Sequence, residues 1–150
     1  MKNKKLLFVA SPGGHLVQLG LIAECFDDVE RVIVSTYREK PAFLSGDDYR
    51  RVDDFSRDNP HLAFKVFIQC FRILRRELPD LVVTTGAAPG LIMVIVGRLL
   101  RVRCVWVDSI ANSKKLSLSG RIASKLGVSV VSQWKEVSEN SNLIYRGRVI

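Results

Sequence analysis

Short apolar runs recur along this chain with helical patterns between them, at about 5–10, 31–35, 81–85, 103–108 and 128–132, and more weakly near 49–53. That rhythm is the signature of βαβ units, because a pair of parallel strands needs a crossover long enough to hold a helix. Runs such as Leu81-Val82-Val83 and Val105-Trp106-Val107 lack the polar alternation of a half-exposed strand, so they belong in a sheet covered on both faces. The pattern predicts a Rossmann-like, doubly wound parallel α/β sheet, with helices over about 16–26, 60–78, 90–101 and 117–126 and a short one after Trp134. The 150 residues hold one such domain, spanning 1–150, and leave no room for a second.

In an open parallel sheet, ligands bind beyond the carboxyl ends of the strands where the strand order reverses. Three conspicuous corners fall there. Ser11-Pro12-Gly13-Gly14-His15 follows the first strand, Thr84-Thr85-Gly86-Ala87-Ala88-Pro89-Gly90 follows the fourth, and Asp108-Ser109 closes the fifth. A strand order of 3-2-1-4-5 would make these corners neighbours around one crevice. Gly13 and Gly14 allow the backbone to take φ > 0 and approach a ligand closely, and the free N–H groups of the helix that follows attract a negative charge. A diphosphate is the expected guest.

Cys25, Cys70 and Cys104 each sit in an apolar stretch without a partner at metal-ligand spacing, which reads as buried, reduced thiols in a cytosolic protein. The N-terminus offers Lys2, Lys4 and Lys5 and then only the short run Leu6 to Ala10, a strand rather than a secretory signal. The run Leu91 to Gly97 stops at Arg98, well short of a membrane span of about 20 residues. The formal net charge of +8 is clustered: Arg72, Arg75 and Arg76; Arg98, Arg101 and Arg103; Lys114 and Lys115; Arg146 and Arg148. An anionic membrane surface suits such clusters. A nucleic-acid partner is not expected, since no helix-turn-helix, RNP-like or zinc-finger pattern accompanies the charge. In the second helix Lys65, Gln69, Arg72 and Arg76 form a polar stripe beside a wide apolar arc of Phe64, Val66, Phe67, Ile68, Phe71 and Leu74. That arc is wider than docking on a sheet requires; it suits either a lipid headgroup layer or burial in the fold or under a partner subunit.

The chain resembles the Alg14 family, the membrane-side subunit of two-component glycosyltransferases, and especially its bacterial relatives in capsule and exopolysaccharide synthesis. The resemblance runs nearly end to end through Gly13-Gly14-His15 with Leu16 and Gln18, Pro79 to Ala87, Trp106-Val107-Asp108-Ser109, Leu116 to Gly120, Gln133-Trp134 and Tyr145 to Arg148. It implies the N-terminal, acceptor-side half of a GT-B glycosyltransferase. The donor half would be a separate Alg13-like subunit, and the pair would move a sugar from a UDP-sugar to a polyprenyl-diphosphate-linked acceptor. The UDP-sugar is a co-substrate, and neither cofactor nor metal is expected. Many relatives carry Arg where this chain has Asn112, and an Asp where it has Val128. Eukaryotic relatives have an N-terminal membrane anchor. This sequence shows none, so attachment to the inner face of the plasma membrane is expected to rest on the basic and amphipathic surfaces.

His15 carries an imidazole that exchanges protons near neutral pH, which suits a general base for an acceptor hydroxyl; it also suits a contact to phosphate or a loop-holding role. Asp108 is the second candidate base, or a group that orients a sugar hydroxyl or caps a turn. Gly13, Gly14, Thr85, Gly86 and Ser109 are expected to contact the substrate, whereas His61 reads as a surface or capping residue. Two other functions fit the same residues: a non-catalytic membrane recruiter that activates a separate catalytic subunit, and a free-standing nucleotide-binding enzyme. The second is disfavoured because no full G-x-G-x-x-G precedes an acidic residue at the right distance.

Overall fold

A computed structural model describes residues 3–56 and 58–149; Lys2 lies outside them. It contains β1 (Lys5–Ala10), α1 (Gly14–Ala23), β2 (Glu30–Ser35), a 3-10 turn (Ala42–Leu44), β3 (Asp48–Arg51), α2 (Leu62–Glu77), β4 (Leu81–Gly86), α3 (Ala87–Leu99), β5 (Arg103–Val107), α4 (Leu118–Lys125), β6 (Ser129–Ser132), α5 (Lys135–Ser141) and β7 (Ile144–Tyr145). The seven strands form one parallel sheet in the order β3-β2-β1-β4-β5-β6-β7. The expected 3-2-1-4-5 arrangement is present, extended by two strands. β7 is a two-residue edge strand with both residues exposed, too short to show a period.

Alternation along β1 divides the core. Leu6, Phe8 and Ala10 meet Leu16, Leu19 and Ala23 of α1, while Leu7 and Val9 pack in a cluster with Val66, Cys70 and Leu74 of α2 and with Met93, Val94 and Val96 of α3. α3 lies unusually close to the sheet. A Cβ at Gly90 would stand 2.2 Å from Thr84 Oγ1, and one at Gly97 2.6 Å from Cys104 Sγ, so only glycine at these two positions, two turns apart, permits the approach.

Two helix starts differ from expectation, and both differences shape the site. α1 begins at Gly14 and α3 at Ala87, so the anticipated loop over 84–90 shrinks to a pivot at Gly86. Pro89 is accommodated as the third residue of α3, where its missing N–H would have had no intrahelical acceptor. Cys25 is also a correction: it follows the end of α1 and is exposed, while Cys70 and Cys104 are buried, and all three are free thiols. Burial pushes the Cys70 thiol up to about 12 and that of Cys104 to about 11. Among the described residues, no helix is long and apolar enough to cross a membrane.

Candidate functional site

Where β1 runs beside β4 the register slips: Val9 faces Thr84 and Ala10 faces Gly86, leaving Thr85 as a bulged residue. A bulge re-aims the residue it contains, and here Thr85 is aimed at α1. Its hydroxyl donates to the His15 carbonyl at 2.6 Å, and His15 Nδ1 lies 2.8 Å from the Thr85 carbonyl. A carbonyl oxygen only accepts, so Nδ1 carries the proton, and in the neutral ring Nε2 keeps its lone pair.

Gly86 makes room for that ring. Its backbone stands at φ +123°, ψ −163°, and a Cβ there would meet His15 Cε1 at 3.2 Å and Nδ1 at 3.3 Å. The next residue, Ala87, also has a positive φ of 67°, so backbone strain is concentrated at this turn. Gly13 and Gly86 are the N-caps of α1 and α3, and neither helix receives a side-chain cap. Two sets of helix-start amides are thus presented at the carboxyl end of the sheet.

Asp108 follows β5, is 2% exposed, and is fully engaged. Its Oδ1 accepts from Trp106 Nε1 at 3.0 Å and from the Ser117 hydroxyl at 2.5 Å; its Oδ2 accepts from Asn112 Nδ2 and the Ser117 amide, both at 3.0 Å. Four donors fill the four acceptor positions of a carboxylate. The same Ser117 hydroxyl accepts from the Gly120 amide at 2.9 Å and so caps α4. Asn112 is occupied in holding Asp108.

These residues surround a cavity of about 290 Å³ lined by His15, Gly86, Ala87, Trp106, Asp108, Ser109, Ala111, Asn112, Ser117, Leu118 and Ser119. The structure therefore brings His15, Gly86, Asp108 and Ser109 together. Gly13 lines a different cavity, of about 360 Å³, with Leu16, Val17, Tyr37, Glu39, Lys40, Pro41 and Phe43. Gly14 is exposed and lines neither, and Thr85 is buried behind His15. His61 is exposed and makes no side-chain cap to α2.

Gln133 and Gln18 are sequence landmarks without an assigned role, and Trp134, expected to pack against this domain or a partner, packs against the domain's own core. Trp134 Nε1 donates to the Ile110 carbonyl at 2.6 Å, and Arg148 lies 3.9 Å from its ring centroid. Gln18 and Gln133 are buried and join the loops behind the cavity. The only advance signal was polar residues standing where an apolar one is expected, in the first turns of α1 and just after β6.

A single parallel α/β sheet with a crevice at the carboxyl end of β1, β4 and β5 defines a Rossmann-like fold. Solved structures share this architecture. MurG of Acinetobacter baumannii superposes with a TM-score of 0.75 at 14% identity, covering 97% of this chain and 44% of that one. The UDP-GlcNAc 2-epimerase of Methanocaldococcus jannaschii does so with a TM-score of 0.66 at 15% identity, covering 91% and 41%. These likenesses are of fold. The model of the family described as oligosaccharide biosynthesis protein Alg14 like matches residues 27–149, and the chain belongs to that family. The match begins after α1, so the Gly13-Gly14-His15 turn stands on its geometry.

Two relatives are named UDP-N-acetylglucosamine transferase subunit ALG14. The protein of Cryptococcus neoformans var. neoformans serotype D (strain B-3501A) is 32% identical over 81 residues, which is 51% of this chain and 35% of that protein. The protein of Homo sapiens is 24% identical over an alignment of 186 positions, covering 99% of this chain and 84% of that one. The chain spans about a third of the length of the fungal relative.

Proposed function

We propose that this chain is the acceptor-side subunit of a two-component glycosyltransferase. An Alg13-like partner would bind the UDP-sugar, and this subunit would hold a polyprenyl-diphosphate-linked saccharide, in polysaccharide or lipid-linked oligosaccharide synthesis such as capsule or exopolysaccharide formation. The observation that carries the reading is the convergence of His15, Gly86 and the Asp108 loop on one cavity, in a chain of the Alg14-like family. The uncapped first turns of α1 and α3 suit the diphosphate. His15 is the proton acceptor of this reading: its Nδ1 is held by Thr85, and Nε2 receives the proton of the acceptor hydroxyl as that oxygen attacks the anomeric carbon and UDP departs. Asp108 orients the loop through its four bonds, a role that leaves it no free acceptor position. No cofactor is invoked.

The test is co-expression with a partner carrying the donor half, followed by a transfer assay from UDP-sugars to a prenyl-diphosphate-linked saccharide. Sugar transfer that needs both subunits and falls on His15→Ala supports the reading. Full transfer by either subunit alone refutes it.

A second reading, a non-catalytic recruiter on the inner face of the plasma membrane, is favoured by α2. Phe64 is 71% exposed, Phe71 41%, and Leu78 just past the helix 63%, with Arg72, Arg75 and Arg76 exposed among them. The two readings separate on His15: a recruiter tolerates its loss.

A further inference from the structure

Two buried glutamines tie the segments of the site to one another. Gln18 lies on α1 three residues beyond His15 and is 4% exposed; Gln133 follows β6 and is 1% exposed. Gln133 Nε2 donates to Gln18 Oε1 at 2.8 Å and to the Asp108 carbonyl at 3.0 Å, while its Oε1 accepts from the Val149 amide at 3.0 Å. Gln18 Oε1 accepts as well from the Ile110 amide at 3.3 Å, and its Nε2 donates to Ser109 Oγ at 3.5 Å. Four segments thereby meet: α1, the loop after β5, the end of β6 and the stretch that reaches Val149.

Neither glutamine lines the cavity. Three of these bonds are to main-chain groups, the Ile110 and Val149 amides and the Asp108 carbonyl, which would lose their partners if the glutamines were replaced by apolar residues. An amide network also supplies a unique arrangement, because every donor must find its acceptor at one geometry. α1 is then fixed at two points one turn apart, His15 to the β4 bulge and Gln18 to the loops after β5 and β6.

We propose that Gln18 and Gln133 are positioning residues that set the spacing between the helix carrying His15 and the Asp108–Asn112 loop of the same cavity. The kinetic consequence rests on the glycosyl-transfer reading, whereas the geometric claim does not.

Four variants test it. Gln18→Glu keeps an acceptor for both the Ile110 and the Gln133 amides, while Gln18→Leu keeps the volume and neither bond. Gln133→Glu keeps the acceptor for Val149 but sets an oxygen against two oxygens, and Gln133→Leu removes all three bonds. Each is measured for melting temperature, for the nitrogen-detected tautomer pattern of the His15 ring in the isolated chain, and for kcat and acceptor KM with the donor subunit. Gln18→Leu, Gln133→Glu and Gln133→Leu should lower kcat by about tenfold or more with acceptor KM changed less than about threefold, and Gln18→Glu should stay within about threefold of the parent in both. In the first three variants the single Nδ1–H pattern of His15 should give way to mixed tautomers. Equal kinetics for Gln18→Leu and Gln18→Glu, or losses that follow melting temperature while the His15 pattern is unchanged, overturn the proposal. So does failure of all three disrupted variants to fold, which would make the network a folding requirement. A parent pair without transferase activity refutes the proposed reaction, and the His15 spectra still decide the positioning claim.

Discussion

His15 and Thr85 hold one another twice, hydroxyl to carbonyl at 2.6 Å and ring nitrogen to carbonyl at 2.8 Å, although seventy positions separate them in the chain. The pair couples the first turn of α1 to the bulge in β4. Thr85→Val keeps the shape and removes the hydroxyl, and should cost about 1 kcal/mol in chemical denaturation. The His15 turn would lose one of its two anchors, so transfer should fall further than stability does. Thr85→Ser should restore both.

Gly86→Ala places a methyl group against the imidazole at 3.2 Å in a backbone conformation that L residues rarely adopt. Denaturation should report a loss of about 1–3 kcal/mol. Acceptor turnover should drop with it, because the ring must swing away from the cavity.

Asp108→Asn separates a structural carboxylate from a proton acceptor. One of the two oxygens becomes an NH2 that faces two donors, so the variant should lose about 2–3 kcal/mol of stability, the scale of hydrogen bonds to a charged group. A variant of parental stability whose kcat alone collapses would instead make Asp108 the base.

Iodoacetamide should modify the native chain once, at Cys25. Thiol reactivity follows the thiolate, and Cys70 and Cys104, raised to about 12 and about 11 by burial, hold their protons through pH 8–9. Intact mass with peptide mapping checks this; adducts at Cys70 without denaturant would contradict the packing of α2.

The exposed face of α2 should hold the chain on anionic vesicles. Phe64→Ser with Phe71→Ser should abolish co-sedimentation, and replacing Arg72, Arg75 and Arg76 by Ser should weaken it by about 1 kcal/mol per charge at low salt while leaving neutral vesicles unaffected. Binding to neutral vesicles of equal strength would remove the electrostatic part of the reading.

The sheet was legible because strands buried on both faces, such as Leu81-Val82-Val83, are continuous apolar runs that few other structures produce. The three corners were legible because glycine and acidic residues stood at strand ends. What stayed hidden depends on contacts between distant segments. The Thr85 bulge exists only against β1, and the four donors of Asp108 come from positions 106, 112 and 117 by a path that no spacing rule encodes. Cys25 looked buried because its neighbours are apolar, yet the helix ends two residues before it and turns it outward. The starts of α1 and α3 were misplaced by two or three residues, since glycine N-caps lack the serine or aspartate that normally marks a helix start.

Those glycine caps carry one more implication. A serine or aspartate at either position would be strained, because Gly13 and Gly86 stand at φ +83° and +123°, so no side chain caps these helix starts from within. The first-turn amides are left open, and on the proposed reading an incoming anion would satisfy them. The unloaded chain should therefore melt earlier than the loaded one, by an amount that grows with the logarithm of ligand concentration. If the proposed acceptor is the ligand, heat resistance in a crude extract would then gauge how much of it the chain holds.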